Sequence, residues 1–270
     1  MKKVNLILIA LVAIIGVQFV GCEGASKAPN QTEAVAELIK LNNNQNFVNP
    51  YNYIGIEHNQ GLEYVYDELL KDENISHENI IEGSTRYMVE FLESIGTENP
   101  VEDIDLGVQI LQGLDSESLP RLVHDYINNE VFSSNVKGYF EEMFSLVEQG
   151  MSSQDLSIEM NKICQNASNQ LNEDDQIYVF SVASVLDNSY MYWEQNAEKW
   201  ATMINEKKEL GKVSTPSLGG FFMADGIAAV GAIIGGGVSS LIGGPAIGAA
   251  AVVGVAFAGS VMYVLEGFLL

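Results

Sequence analysis

The sequence predicts an all-α protein: a multi-helix bundle that ends in a glycine-rich hydrophobic helical hairpin. Three observations carry this prediction. From residue 33 to 210, apolar residues recur every three to four positions, which is the period of an α-helix. No stretch shows the sustained apolar–polar alternation between hairpin turns that is typical of strands. From Gly226 to Leu265 the chain carries no charged side chain.

The first residues have the layout of an export signal. Lys2 and Lys3 precede an apolar run that ends at Cys22, so residues 1–21 are predicted to be a signal peptide and 22–32 a tether. The sequence Phe19-Val20-Gly21-Cys22 resembles the lipobox of bacterial lipoproteins, although Phe19 replaces the usual Leu. The resemblance implies that Cys22 is lipidated and that the protein is anchored to a membrane of the cell envelope, with the outer membrane favoured. An uncleaved anchor helix and an ordinary signal with an incidental cysteine remain the alternatives.

Residues 33–213 are predicted to form an acidic α-helical domain. Asn and Pro residues between 42 and 50 break the first helix because both favour turns. Ser76 is predicted to cap a later helix, Gly96 to end it, and Pro120 to lie in the first turn of another. The predicted helical segments are 33–41, 54–69, 76–95, 103–112, one beginning near Ser118, 134–149, 153–171 and 173–210.

Residues 214–225 are predicted to join this domain to the apolar tail, 226–270. Gly243, Gly244 and Pro245 divide the tail into two arms, each close to the length of helix that crosses a bilayer core. Small residues recur every four positions on both arms, which lets helix backbones approach closely and resembles the glycine zippers of membrane-active proteins. These predicted packing residues are Gly231, Gly235, Ser239, Gly243, Ala246, Ala250, Gly254 and Ala258. Two interpretations remain open: the hairpin contacts a membrane, or it is the buried centre of the bundle.

The charge balance excludes one class of partner. The chain has 13 basic and 36 acidic residues, a net charge of −23, and such a surface repels nucleic-acid phosphates. Anionic lipid is repelled for the same reason. Any membrane attachment must therefore come from apolar contact and the lipid chain.

No motif for catalysis or metal binding is complete. His77-Glu78 begins like a zinc-protease helix, but Ile81 stands where the second histidine is needed. His58 falls on an apolar helix stripe and is expected to be a core histidine, and Cys164 is expected to be a buried, inert thiol. The aromatic residues Tyr190, Tyr192, Trp193 and Trp200 are expected to be core rather than a ligand site. We therefore predict no catalytic residue, no metal and no cofactor.

One stretch is distinctive. Asn49-Pro50-Tyr51-Asn52-Tyr53-Ile54-Gly55, followed by His58-Asn59, resembles the start of the mature domain of uncharacterised lipoproteins of Bacteroidetes type, which also end in a Gly/Ala-rich apolar tail. The resemblance implies no activity. The prediction is a non-enzymatic surface lipoprotein that acts as an interaction module, whose partners are membrane lipid and another envelope protein or a second copy. The alternative is a membrane-active helical effector, similar in architecture to pore-forming or bacteriocin-like proteins, with a concealed hydrophobic hairpin.

Overall fold

The described residues of the protein are helical throughout. A computed structural model describes residues 47–76, 78–111, 118–207, 218–237 and 245–269, and these ranges contain α-helices, one π-helical turn and no strand. The predicted all-α class is therefore confirmed. The elements are α1 (Asn52–Lys71), α2 (Ile80–Ser94), α3 (Pro100–Leu111), α4 (Leu119–Ile127), α5 (Ser134–Glu148), α6 (Ser153–Gln170), α7 (Glu173–Lys207), α8 (Leu218–Ala232) with the π-helical turn Ile233–Gly237, and α9 (Pro245–Leu269).

Local sequence signals set several of the helix ends. The hydroxyls of Ser133 and Ser152 accept hydrogen bonds from backbone N–H groups in the first turns of α5 and α6. Gly96 follows α2 with a φ of +85°, a conformation that glycine adopts without steric conflict. The predicted cap at Ser76 is wrong: Ser76 donates from both its backbone N–H and its hydroxyl to Asn79 Oδ1, and α2 begins at Ile80.

The apolar tail lies at the centre of the bundle. Every side chain from Phe221 to Ile233 and from Val252 to Leu265 is buried, so these parts of α8 and α9 are covered on all sides. A helix that is apolar all round must be enclosed either by protein or by lipid, and here the described residues adopt the protein-enclosed arrangement. Within the described ranges, no helix combines the length and the apolar character that crossing a bilayer requires.

The amphipathic helices surround this pair. α8 and α9 pack against each other; α9 also packs closely on α3 and α1, and α8 on α7. Residues from Phe47 to Leu270 make one compact unit. Of the predicted joint, 214–225, the described residues 218–225 are helical, since α8 begins at Leu218. The tail and the helical body therefore share a single hydrophobic core.

Glycines permit the closest helix contacts. A Cβ on Gly107 of α3 would lie 2.5 Å from the carbonyl oxygen of Val255 on α9. A Cβ on Gly55 of α1 would lie 2.2 Å from the carbonyl oxygen of Ser184 on α7. Both neighbours are backbone atoms, so a larger residue at either position requires one helix to move.

We predict that Gly107→Ala destabilises the protein while Gly138→Ala stabilises it. The first change drives α3 away from α9 and should lower the free energy of unfolding by about 1–3 kcal/mol. Gly138 is exposed on α5 with open space around it, so alanine there should add roughly 0.5–1 kcal/mol through helix propensity alone. Denaturant unfolding followed by circular dichroism measures both. Equal effects of the two substitutions would contradict the close packing of α3 on α9.

Candidate functional site

A single carboxyl group lies in the centre of the apolar helix pair. From Leu218 to Leu265, Asp225 is the only charged residue, and it is fully buried. Asp225 Oδ2 accepts hydrogen bonds from the hydroxyl of Ser189 and from Trp193 Nε1, the latter at 2.9 Å. Asp225 Oδ1 is hydrogen-bonded to the hydroxyl of Ser260. Both carboxyl oxygens thus have partners, as a buried polar group requires.

The hydrogen-bond chain continues from Ser260 to the first helix. His58 Nε2 lies 3.0 Å from Ser260 Oγ and 3.8 Å from Asp225 Oδ2. On the other side of the ring, His58 Nδ1 lies 3.0 Å from Asn59 Oδ1, and Asn59 Nδ2 donates to the carbonyl oxygen of Asn188 at 2.8 Å. We call His58, Ser189, Trp193, Asp225 and Ser260 the central polar cluster. It joins α1, α7, α8 and α9.

Helix periodicity places each member of this cluster. His58 shares the buried face of α1 with Ile54, Leu62 and Val65, so its ring must enter the core. Ser189 and Trp193 are four residues apart and therefore present adjacent side chains on one face of α7. On α9, the hydroxyl of Ser260 also approaches the carbonyl oxygen of Ala256, four residues earlier.

Opposing effects act on the protonation of Asp225. Burial raises its pKa, because the apolar surroundings disfavour the charged carboxylate. The charge of His58 and the hydrogen bonds from Ser189, Ser260 and Trp193 act in the other direction. The net direction is upward, so the neutral carboxylic acid is favoured relative to an exposed aspartate.

The central polar cluster contains a serine, a histidine and an acid, but its geometry differs from a nucleophilic triad. In a triad the acid orients the histidine through Nδ1, whereas here Nδ1 contacts Asn59 and Asp225 contacts the serine itself. His58 and Asp225 are 0% exposed and Ser260 is 1% exposed, so no substrate reaches the hydroxyl. The arrangement can hold protons and fix helix positions; in this state it cannot attack a ligand.

The distinctive stretch at the start of α1 binds α7 through a row of polar contacts. Asn49 Nδ2 donates to the carbonyl oxygen of Phe180 at 2.8 Å. One helical turn along α7, the hydroxyl of Ser184 accepts from the N–H of Gly55 at 2.9 Å and donates to the carbonyl oxygen of Asn52 at 3.0 Å. Further along, Asn59 reaches Asn188 as described, and the Tyr192 hydroxyl and Lys199 Nζ bond the carboxylate of Glu63. These contacts fix the register of α1 on α7.

A second, partly buried acid, Asp187, lies on the side of α7 opposite Ser189 and Trp193. Asp187 accepts a hydrogen bond from the hydroxyl of Ser157 at 3.3 Å, while its Oδ1 has no partner among the described residues. Burial raises the pKa of Asp187 to about 6. Burial, aided by the nearby charge of Asp187, also raises the pKa of the Cys164 thiol to about 12. Cys164 is therefore protonated at neutral pH and a poor nucleophile.

The other predicted residues have the following positions. Trp193 and Trp200 are 0% exposed, and Tyr190 and Tyr192 are also buried, as expected of core aromatic residues. His58 is a buried, hydrogen-bonded core histidine, as its position on the apolar stripe predicts. Cys22 and His77 lie outside the described residues.

The predicted small-residue rows contact the surrounding helices. A Cβ on Gly231 would meet Ile110 and Tyr126, and one on Gly235 would meet Leu106, so this row faces α3 and α4. On α9, a Cβ on Gly254 would meet Asp103 and Leu92, while Ala258 lies against Gly107 of α3. Between the two arms the close approach is made instead by Gly259, whose Cβ would lie 2.8 Å from that of Ala228. The structure does not describe the packing of four other predicted residues, Ser239, Gly243, Ala246 and Ala250.

Sequence reasoning missed Asp225, Ser189 and Ser260. The sequence predicts Asp225 as the last residue of the joint before the apolar tail, but α8 begins at Leu218 and includes Asp225. One sequence feature points to it: apolar residues continue before Asp225 as well as after it. A lone acid inside such a run must have buried partners.

Comparison with known proteins gives no relative. No family model matches the chain, and no curated protein or solved structure matches it significantly. The function must therefore be inferred from the residues themselves.

We predict that Asp187→Asn stabilises the protein at pH 7 but not at pH 4. The pKa of Asp187 is raised from 3.8 to about 6, so the folded state favours the protonated acid. The stability that comes from the raised pKa of Asp187 is fully present below the pKa of this residue in the unfolded chain, and it is lost as pH rises through about 6. Asparagine removes the buried charge and should raise the free energy of unfolding at pH 7 by about 1–2 kcal/mol, with the gain vanishing near pH 4.

Denaturant unfolding across pH 4 to 8 measures this effect. Glu194→Gln is the matched control, because Glu194 is exposed on the same helix, and its effect should stay within about 0.5 kcal/mol. A gain from Asp187→Asn that does not vary with pH would contradict the assignment.

Proposed function

We propose that this protein is a non-enzymatic, lipid-anchored protein of the bacterial envelope whose helical domain acts as an interaction module. One observation carries the non-enzymatic part: the side chains best suited to chemistry, His58, Ser260 and Asp225, are enclosed in the core and bonded to one another. Groups arranged in this way support a fold and are themselves closed to a substrate. The lipid anchor is proposed from the lipobox-like sequence ending at Cys22.

The proposed attachment fits the charge of the chain. With a net charge of −23, the helical domain is repelled by an anionic bilayer, so the lipid at Cys22 must supply the attachment. A single acyl chain binds a membrane only marginally, whereas several chains together hold it stably. We place the protein in the envelope, most readily at the outer membrane, with a second copy or another envelope protein as partner.

We predict that Cys22→Ser abolishes incorporation of labelled fatty acid by cells that express the protein. The thiol of Cys22 is the proposed attachment point, so the hydroxyl variant should carry only background label. Cys164→Ser is the matched control, because Cys164 is buried in the core and should leave labelling unchanged. Undiminished label in the Cys22 variant would refute the lipid anchor.

A second candidate function is a membrane-active effector, favoured by the concealment of α8 and α9. We take these helices as the two arms of the predicted hairpin, with its reversal at Gly243, Gly244 and Pro245. Among the described residues, helices α1 to α5 and α7 pack against them, which is the arrangement expected of a protein that carries an apolar helix pair through water. This likeness of architecture is weaker support than the buried cluster gives to the first proposal.

Vesicle leakage separates the two functions. Dye-loaded vesicles of neutral phospholipid are mixed with the protein from Glu23 onward. If α9 leaves the bundle to enter lipid, leakage should occur, and Gly107→Ala should accelerate it because that change loosens α3 from α9. Gly138→Ala should leave the rate unchanged. If the unsubstituted protein and both variants all leave the vesicles intact, the membrane-active effector is excluded and the interaction module remains as the proposed function.

A further inference from the structure

The orientation of Asn59 fixes the hydrogen on His58. The amide nitrogen of Asn59 donates to the carbonyl oxygen of Asn188, so the amide oxygen must be the atom that faces His58 Nδ1. An oxygen acceptor at 3.0 Å requires a hydrogen on Nδ1. In a neutral imidazole, Nε2 then has no hydrogen and is an acceptor.

The hydroxyl of Ser260 therefore faces three acceptors if Asp225 is ionised and His58 is neutral, one of them the carbonyl oxygen of Ala256 on its own helix at 2.8 Å. On one side is His58 Nε2 at 3.0 Å, and on the other is Asp225 Oδ1. A hydroxyl has one hydrogen, so it can satisfy only one of them. The acceptor left without a hydrogen would then face lone pairs of the Ser260 oxygen in a fully buried site, which is costly.

We propose that the central polar cluster is a proton-binding site, and that its bound proton, held on Asp225 Oδ1, locks α8 and α9 to α1. With that proton every hydrogen bond has a donor and an acceptor. Asp225 donates to Ser260, Ser260 donates to His58 Nε2, and His58 Nδ1 donates to Asn59. Asp225 Oδ2 remains the acceptor for Ser189 and Trp193. Every side chain of the central polar cluster is then uncharged, which suits the complete burial of the cluster.

Among the described residues, His58 is the one ionisable group whose charge would act on Asp225, and in the proposed arrangement its ring is neutral. Tyr190 on α7 directs its hydroxyl to the carbonyl oxygen of Met151, and Tyr192 directs its own to Glu63. Asp103 on α3 lies against Gly254, and Tyr126 on α4 lies against Gly231. Tyr263 on α9 has its ring edge-on to Phe221, and Glu141, Glu142 and Glu148 on α5 are exposed.

The proton links the fold to pH in a defined direction. An unfolded chain loses its aspartate proton near pH 4, and an unfolded imidazole is neutral above about pH 6.5. Above pH 7 the folded cluster therefore binds one proton more than the unfolded chain. The contribution of the cluster is fully present at mildly acidic pH and is lost as pH rises. The raised pKa of Asp225 agrees with this direction.

Asp225→Asn tests the proposal, because asparagine reproduces the protonated acid. Its amide oxygen can accept from Ser189 and Trp193, and its NH₂ group can donate to Ser260 as the proposed carboxylic acid does. The variant should fold, and its stability should no longer depend on the bound proton. The ratio of the unfolding constant of the wild type to that of the variant should rise by up to about tenfold per pH unit between pH 7 and 9.

Asp105→Asn is the control, since Asp105 is exposed on α3, and its ratio to the wild type should stay constant over the same range. A carboxylate that is ionised beside a neutral His58 in the folded state would give the opposite result with Asp225→Asn. The variant would then fail to fold, or would be destabilised by the same factor at every pH, and either outcome overturns the proposal.

A second test uses the wild-type protein, so its result does not depend on whether the Asp225→Asn variant folds. Nitrogen-15 spectra of the histidine rings at pH 7 should show His58 as a neutral ring with its hydrogen on Nδ1. The exposed ring of His124 serves as the reference for a solvent-accessible histidine. An imidazolium at His58 at pH 7 would place the proton on the ring instead and overturn the assignment to Asp225.

Discussion

The burial of Asp225 among apolar helices constrains the positions of four helices at once. A carboxyl group removed from water destabilises the fold by several kcal/mol unless it is neutral or fully hydrogen-bonded. The partners of Asp225 come from α1, α7 and α9. Each of these helices must therefore keep its position along its axis, and its rotation about that axis, relative to α8. Apolar packing alone tolerates sliding of one helix along another, whereas directional hydrogen bonds do not. The central polar cluster thus defines one register for the core.

The polar row between α1 and α7 extends the same constraint outward. Side chains near the start of α1 bond backbone and side-chain groups of α7 one turn at a time, and Gly55 lets the two helices approach. Asn59 belongs to this row and also orients His58. The polar row and the central polar cluster are therefore one connected network. Through this network, contacts between α1 and α7 can influence the protonation of a group in the core.

Glycines at the interfaces of the central pair leave room for the neighbouring helices. The spacing of small residues predicts a close approach of the two arms, or of an arm and a partner helix. Among the described residues, Gly231, Gly235 and Gly254 leave room for side chains of α2, α3 and α4, and Gly107 of α3 receives the backbone of α9. The small residues thus allow the neighbouring amphipathic helices to pack closely on α8 and α9, which places the described part of the tail in contact with protein.

The sequence by itself determined the class, most helix positions and the burial of His58, Cys164 and the aromatic residues of α7. These features follow from apolar periodicity, which acts over a few residues and can be read locally. Only the tertiary structure decided that the tail is central, because lipid and protein interiors demand the same apolar surface of a helix. It also decided the partners of Asp225, since Ser189, Trp193 and Ser260 are 32 to 36 residues away along the chain and His58 is far more distant. Periodicity tells which side chain faces inward, but which inward-facing groups meet depends on the packing of whole helices.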